Sequence, residues 1–251
     1  MIRRGQLLAI AVTLGAAGCG PKLPKIDTAC GQLPLEDRPI SGASQCGPTL
    51  DFAPVNRYQG QLAAAVQERE DAVALLGGTC TGTLIAAVSG PVVLTAGHCG
   101  QLNDQFVVAF NVEENPDGDQ LVTTGTVFER ADEPDYALLQ LDALPAVEPT
   151  PLTSHPSDLL AVIQHPRGGP KVVAEGQYLG VCNGVIYYAN LDTLVGSSGA
   201  GALTRAGFLA GVHSDGDCAA NSDGSGANRG WTSEDIVGAS AYLQDADIAD
   251  R

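Results

Sequence analysis

Along most of the chain, apolar residues come in short runs parted by Gly, Pro, Asn and Asp, with little helical periodicity between them. The runs at 72–76, 83–88, 92–95, 106–112, 121–128 and 137–141 read as strands. Prolines bound a linker at 145–156, and further strand-like runs follow at 159–164, 171–179, 185–188, 201–203 and 208–213. Short strands at such regular spacing predict an all-β barrel or sandwich. One segment, 232–243, has helical character: Thr232 or Ser233 caps it, and Ile236, Val237, Ala239, Ala241 and Leu243 form its apolar side.

The first 18 residues have the parts of an export signal: Arg3 and Arg4, an apolar stretch at 7–14 too short to span a bilayer, and small residues before Cys19. Residues 14–19 resemble a bacterial lipobox, in which Cys19 becomes the lipidated start of the mature chain, although Ala16 stands where leucine is usual. The alternative is ordinary secretion with Cys19 left free. Residues 19–56 then read as a Pro- and Gly-containing tether or pro-segment, and 57–251 as a globular unit of two lobes, about 57–145 and 157–251.

The formal net charge of −16 disfavours nucleic acid and anionic membrane surfaces as partners. Acidity serves solubility, or draws in cationic substrates. The membrane is expected to be reached only through the lipid anchor. No Cys-x-x-Cys pair occurs and the four histidines lie far apart, so no metal site is expected.

Three motifs carry candidate chemistry. Residues 94–99, Leu-Thr-Ala-Gly-His-Cys, put His98 where a buried strand meets a cleft. Asp135 opens the apolar strand 136–141, with Asp132 and Asp142 as competitors. Gly196-Ser197-Ser198-Gly199 places a serine between glycines. A serine hydroxyl needs a base, and the base needs a carboxylate to orient it. His, Asp, Ser is the chain order of one convergent serine-hydrolase solution.

In these motifs the sequence resembles the trypsin/chymotrypsin-like serine peptidases, and most of all the bacterial glutamyl and lysyl endopeptidase branch. The resemblance implies two antiparallel Greek-key barrels with a cleft between them and a C-terminal helix. It implies that His98 and Asp135 come from the first barrel and Ser198 from the second, with Asp135 favoured by the pattern Asp-x-Ala-Leu-Leu. Under it the backbone N–H groups of Gly196 and Ser198 form the oxyanion hole, and Cys80 pairs with Cys99 to brace the histidine loop. Cys30 with Cys46 and Cys182 with Cys218 is the expected remaining pairing, an even set suited to an oxidising compartment.

Two departures stand out: Ala200-Gly201 replaces the usual Gly-Pro, and Ser197 replaces the zymogen aspartate. Specificity stays open on the same resemblance. Asp192 falls at a position that favours Arg or Lys substrates, whereas Thr193 and His213 match positions that hold a carboxylate in glutamyl endopeptidases. His213 reads equally well as a wall residue of the second barrel, His155 and His165, each followed by proline, as loop or strand-end residues, and Trp231 as core packing. The expected activity is cofactor-free endopeptidase chemistry on protein or peptide substrates, exported to the bacterial cell envelope. The alternatives are a catalytically silent binding or scaffold module and an exported serine esterase.

Overall fold

The short apolar runs close into two barrels. The computed structural model describes residues 45–46, 49–216 and 227–249. Cys19, Cys30 and Cys218 lie outside these residues, and with them the anchor and the partners expected for Cys46 and Cys182, which are each disulfide-bonded. Among the described residues no helix is long and apolar enough to cross a membrane.

A strap leads into the fold. Its strand β1 (Ala53–Pro54) pairs with the second barrel, so the boundary expected at Arg57 falls inside a packed segment. The helix α1 (Ala63–Arg69) follows, in a stretch with no helical expectation from the sequence. Three consecutive alanines favour it locally, and Leu62, Ala65 and Val66 bury one side.

The first barrel is β2 (Val73–Leu76), β3 (Cys80–Ile85), β4 (Val92–Thr95), β5 (Gln105–Phe110), β6 (Leu121–Asp132) and β7 (Asp135–Leu141). It closes in the order β2-β3-β4-β7-β6-β5, with β5 returning to β2. After the short β8 (Leu152–Thr153) come β9 (Leu159–Gln164), β10 (Val172–Cys182), β11 (Val185–Ala189), β12 (Gly201–Thr204), β13 (Leu209–Asp215) and β14 (Asn228–Thr232). These form the second barrel, closed by pairing of β12 with both β9 and β13. The short β15 (Ile248–Ala249), the last of the described residues, pairs with β8.

The terminal helix α2 (Ser233–Ala239) is shorter than the periodicity suggested. Thr232 caps it by accepting the Asp235 N–H at 3.1 Å. Ser240 ends it, because its backbone turns extended and its hydroxyl accepts the N–H groups of Tyr242 and Leu243.

Separate apolar cores fill the two barrels, around Leu76, Val93, Phe110 and Leu139 in the first and Val162, Ile186, Tyr188 and Ala202 in the second. A third core, with Leu62, Val66, Leu94, Tyr136, Ile163 and Ile236, lies between them. A buried cation joins the halves as well. Lys171, just before β10, donates to the Glu70 carboxylate, to the Glu70 carbonyl at 2.7 Å and to Glu113 at 2.7 Å, both acids belonging to the first barrel. Burial pushes Glu70 up to about 7 against the pull of Lys171. At Glu113 burial acts in the same sense, but Lys171 outweighs it and holds the carboxyl below its ordinary value. Lys171→Met is expected to destabilise the protein by about 3–5 kcal/mol, since it leaves two buried acids without their cation. Urea denaturation of the two proteins at neutral pH is the check.

Candidate active site

The first half of the site is built at the ends of β4 and β7. A tight turn at Gly97–Cys99 carries His98 away from β4 and over the β6–β7 hairpin. Only glycine fits at 97: a Cβ there would lie 2.2 Å from the Ala131 carbonyl and 2.8 Å from Asp135 Oδ1. Asp135 uses both oxygens on one residue. Oδ1 accepts the His98 backbone N–H at 2.8 Å, and Oδ2 lies 2.7 Å from Nδ1 of the ring. The carboxylate therefore fixes the turn as well as the imidazole.

Exposure separates Asp135 from its competitors. Its side chain is 16% exposed, against 48% for His98, while Asp132 is 84% exposed and paired with Arg130. Asp142 is exposed at the far end of β7. The hydrogen bond that the His98 ring donates to Asp135 raises the His98 pKa above its usual value; desolvation opposes this, and the charges of Asp135 and Asp215 add to it. Cys80 and Cys99 are joined by a disulfide of S–S 2.03 Å, which ties the histidine turn to β3.

The second half is the loop between β11 and β12. Ser197 is buried, and its hydroxyl accepts the Leu194 N–H at 2.9 Å. Ser198 is partly exposed, and its hydroxyl makes no hydrogen bond among the described residues. The amides of Gly196 and Ser198 likewise donate to no acceptor among those residues, whereas those of Ser197, Gly199 and Ala200 are all taken. Gly196 sits at φ +100°, and a Cβ there would lie 2.5 Å from the His165 carbonyl.

Thr81 on β3 holds the two halves in register, and no local motif marks it. Its N–H donates to the Ser198 carbonyl at 2.9 Å and its hydroxyl to the Gly196 carbonyl at 2.8 Å. That hydroxyl also accepts the His165 N–H at 3.0 Å. His165 is more than a strand-end residue: it is fully buried behind the Gly196 loop, hydrogen-bonded to the Gly169 carbonyl at 3.0 Å, and burial pushes it down to about 4.

The three candidate pocket residues differ in availability. Asp192 is buried, and its carboxylate accepts the N–H groups of Cys46 at 2.5 Å and Asp51 at 2.8 Å. Thr193 is buried and donates to Asn228 at 3.4 Å. His213 lies on β13, with Nδ1 2.6 Å from the Tyr188 hydroxyl. Burial pushes His213 down to about 3 and Tyr188 well above its usual value. The same hydroxyl also reaches the Arg229 carbonyl at 3.5 Å, so His213 and Tyr188 form a buried neutral pair against β14. His155 stays in an exposed turn, where Ser154 meets its ring at 3.2 Å.

Among the described residues one set of acidic ligand atoms, from Glu70, Glu113 and Asp117, is close enough to share a cation. The Lys171 ammonium already bonds two of the three.

Residues 80–212 match the model of a trypsin-like peptidase domain. No curated relative matches the sequence. Solved structures with the same fold include a serine endoprotease from Yersinia pestis, at TM-score 0.55 and 16% identity over 71% of this chain and 64% of that one, so the match spans a little under two thirds of that enzyme. The MamO protease domain from Magnetospirillum magneticum aligns at TM-score 0.53 and 16% identity, over 71% of this chain and 98% of that one. A Glu endopeptidase in complex with MPD aligns at TM-score 0.53 and 19% identity, over 75% of this chain and 93% of that one.

Proposed function

The chain belongs to the trypsin-like serine peptidases, and we propose that Ser198, His98 and Asp135 carry an endopeptidase reaction through an acyl-enzyme. The observation that carries this reading is the pair of hydrogen bonds that His98 donates to a largely buried Asp135, set against a loop that turns Ser197 inward and leaves Ser198 accessible. Asp135 accepts the Nδ1 proton, so Nε2 is the free lone pair of a neutral His98. That nitrogen takes the Ser198 proton as Oγ attacks the scissile carbonyl, and returns it to the leaving amine. The unengaged amides of Gly196 and Ser198 supply donors for the oxyanion. Water then repeats the sequence on the acyl-serine, and no cofactor enters.

The pocket favours an acidic over a basic side chain in the substrate. Two backbone amides already occupy the Asp192 carboxylate, which leaves neutral His213 and the Thr193 hydroxyl as the polar groups for a substrate side chain. Cys19, which lies outside the described residues, supports an envelope location.

The test is labelling with a fluorophosphonate, the modified residue mapped by mass spectrometry, alongside cleavage of a peptide library across pH. The rate should rise with pH through an inflection above 6.5, because only neutral His98 accepts the serine proton and Asp135 holds its pKa up. Folding stability runs the other way: the contribution of charged His98 is present below 6.5 and lost as pH passes the raised value. Labelling elsewhere, or a rate indifferent to pH across that range, would remove the proposal.

A further inference from the structure

Asp192 offers its carboxylate to the chain's own N-terminal strap. Oδ1 accepts the Cys46 N–H at 2.5 Å and Oδ2 accepts the Asp51 N–H at 2.8 Å. The bond is returned, since the Asp192 N–H donates to Asp51 Oδ1 at 3.1 Å. The Asp192 carbonyl is held by the Gln164 side chain at 2.9 Å. Beyond this point the strap continues through β1 on β10, and Asn56 reaches the first barrel by donating to the Asn115 carbonyl at 2.6 Å.

Asp192 also begins the loop that ends at Ser198. Within that loop Leu194 and Ser197 exchange hydrogen bonds at 2.9 Å, through the Ser197 hydroxyl and amide. Its later residues hang from Thr81, whereas its first residue hangs from the strap. A carboxylate that accepts two backbone N–H groups forms charge-assisted bonds of about twice ordinary strength.

Resting on the assignment of Ser198 as nucleophile, we propose that Asp192 is a positioning residue: it clasps the N-terminal strap at Cys46 and Asp51 and so holds the Asp192–Ser198 loop in its working shape. The clasp contains its own source of strain. Asp51 and Asp192 are both carboxyls, and no cation pairs with either among the described residues. Desolvation, followed by the Asp192 charge, pushes Asp51 up to about 6. Losing the Asp51 charge below that pH relieves its repulsion with Asp192, so the clasp is expected to hold the loop more firmly there.

The experiment uses the full chain and a small alkyl fluorophosphonate, which has no side chain to seat in the pocket. Its maximal labelling rate and half-saturating concentration are measured from pH 4.5 to 9, with circular dichroism as the folding control. Asp192→Asn sets an NH2 against one of the two backbone donors. It should slow maximal labelling by on the order of ten- to hundredfold, the range expected from a small displacement of reacting groups, with little change in half-saturation. Asp51→Asn keeps the acceptor and removes the charge. The wild-type profile should show a second inflection near pH 6, opposite in sense to that of His98, and Asp51→Asn should abolish it and label severalfold faster above it. If buried Asp192→Asn does not fold, Asp51→Asn, whose side chain is only partly covered by the clasp, decides by its profile. Wild-type labelling by folded Asp192→Asn, a defect confined to peptide KM, or an inflection near 6 that survives Asp51→Asn would overturn the clasp. Absence of label on Ser198 in the wild type would overturn the nucleophile assignment itself.

Discussion

Ser198→Ala is expected to lower turnover by on the order of 10⁶ and to abolish fluorophosphonate labelling, because the nucleophile and its base act as one unit. The neighbouring serine makes the sharper control. Ser197 is buried, and its hydroxyl is already the acceptor for the Leu194 N–H. Ser197→Ala should leave label on Ser198 and cost about 1–3 kcal/mol of stability, the price of an orphaned buried donor. Intact-mass measurement of labelled protein separates the two variants from thermal unfolding effects. Label lost in Ser197→Ala and kept in Ser198→Ala would shift the nucleophile by one residue.

Asp135→Asn is expected to reduce kcat by on the order of 10⁴ with the fold retained. The reason lies in the two bonds to His98. The backbone N–H of His98 needs an acceptor at Oδ1, so the asparagine amide must turn its NH2 toward Nδ1. Nδ1 then becomes the acceptor, the ring carries its proton on Nε2, and the lone pair that should receive the serine proton is gone. The same substitution removes the charge that raises the His98 pKa, so the pH inflection should fall. A rate within tenfold of wild type would pass the orienting role to another group, although neither exposed Asp132 nor distant Asp142 is placed to take it.

The barrels were legible because each strand is short, buried and set off by turn residues, so local pattern and tertiary role coincide. β4 and β9 were read to the residue, whereas β6 runs four residues past its apolar part, through Glu129 to Asp132, in pairing with β7. The motifs at His98, Asp135 and Ser198 were legible for the same reason: each is contiguous. What escaped has partners far away in the chain. Lys171 meets Glu70 across 101 positions, Thr81 meets Gly196 across 115, and Cys46 meets Asp192 across 146. No periodicity records such contacts. The helix α1 escaped because its short stretch 63–69 has a mixed apolar side that becomes recognisable only against the core between the barrels.

The bonds made by Thr81 bear on how substrates come and go. A swing of one barrel away from the other would break its links to the Gly196 and Ser198 carbonyls and to the His165 amide, and would strip Lys171 from its two acids. These bonds oppose a hinge motion at the cleft. Ligand traffic is then expected at the rim, where the Val195 side chain of the serine loop stands exposed. Rim side chains reorient in nanoseconds, far faster than the microsecond-to-millisecond closure of hinged enzymes, so under the proposed mechanism product release is expected to need no domain motion.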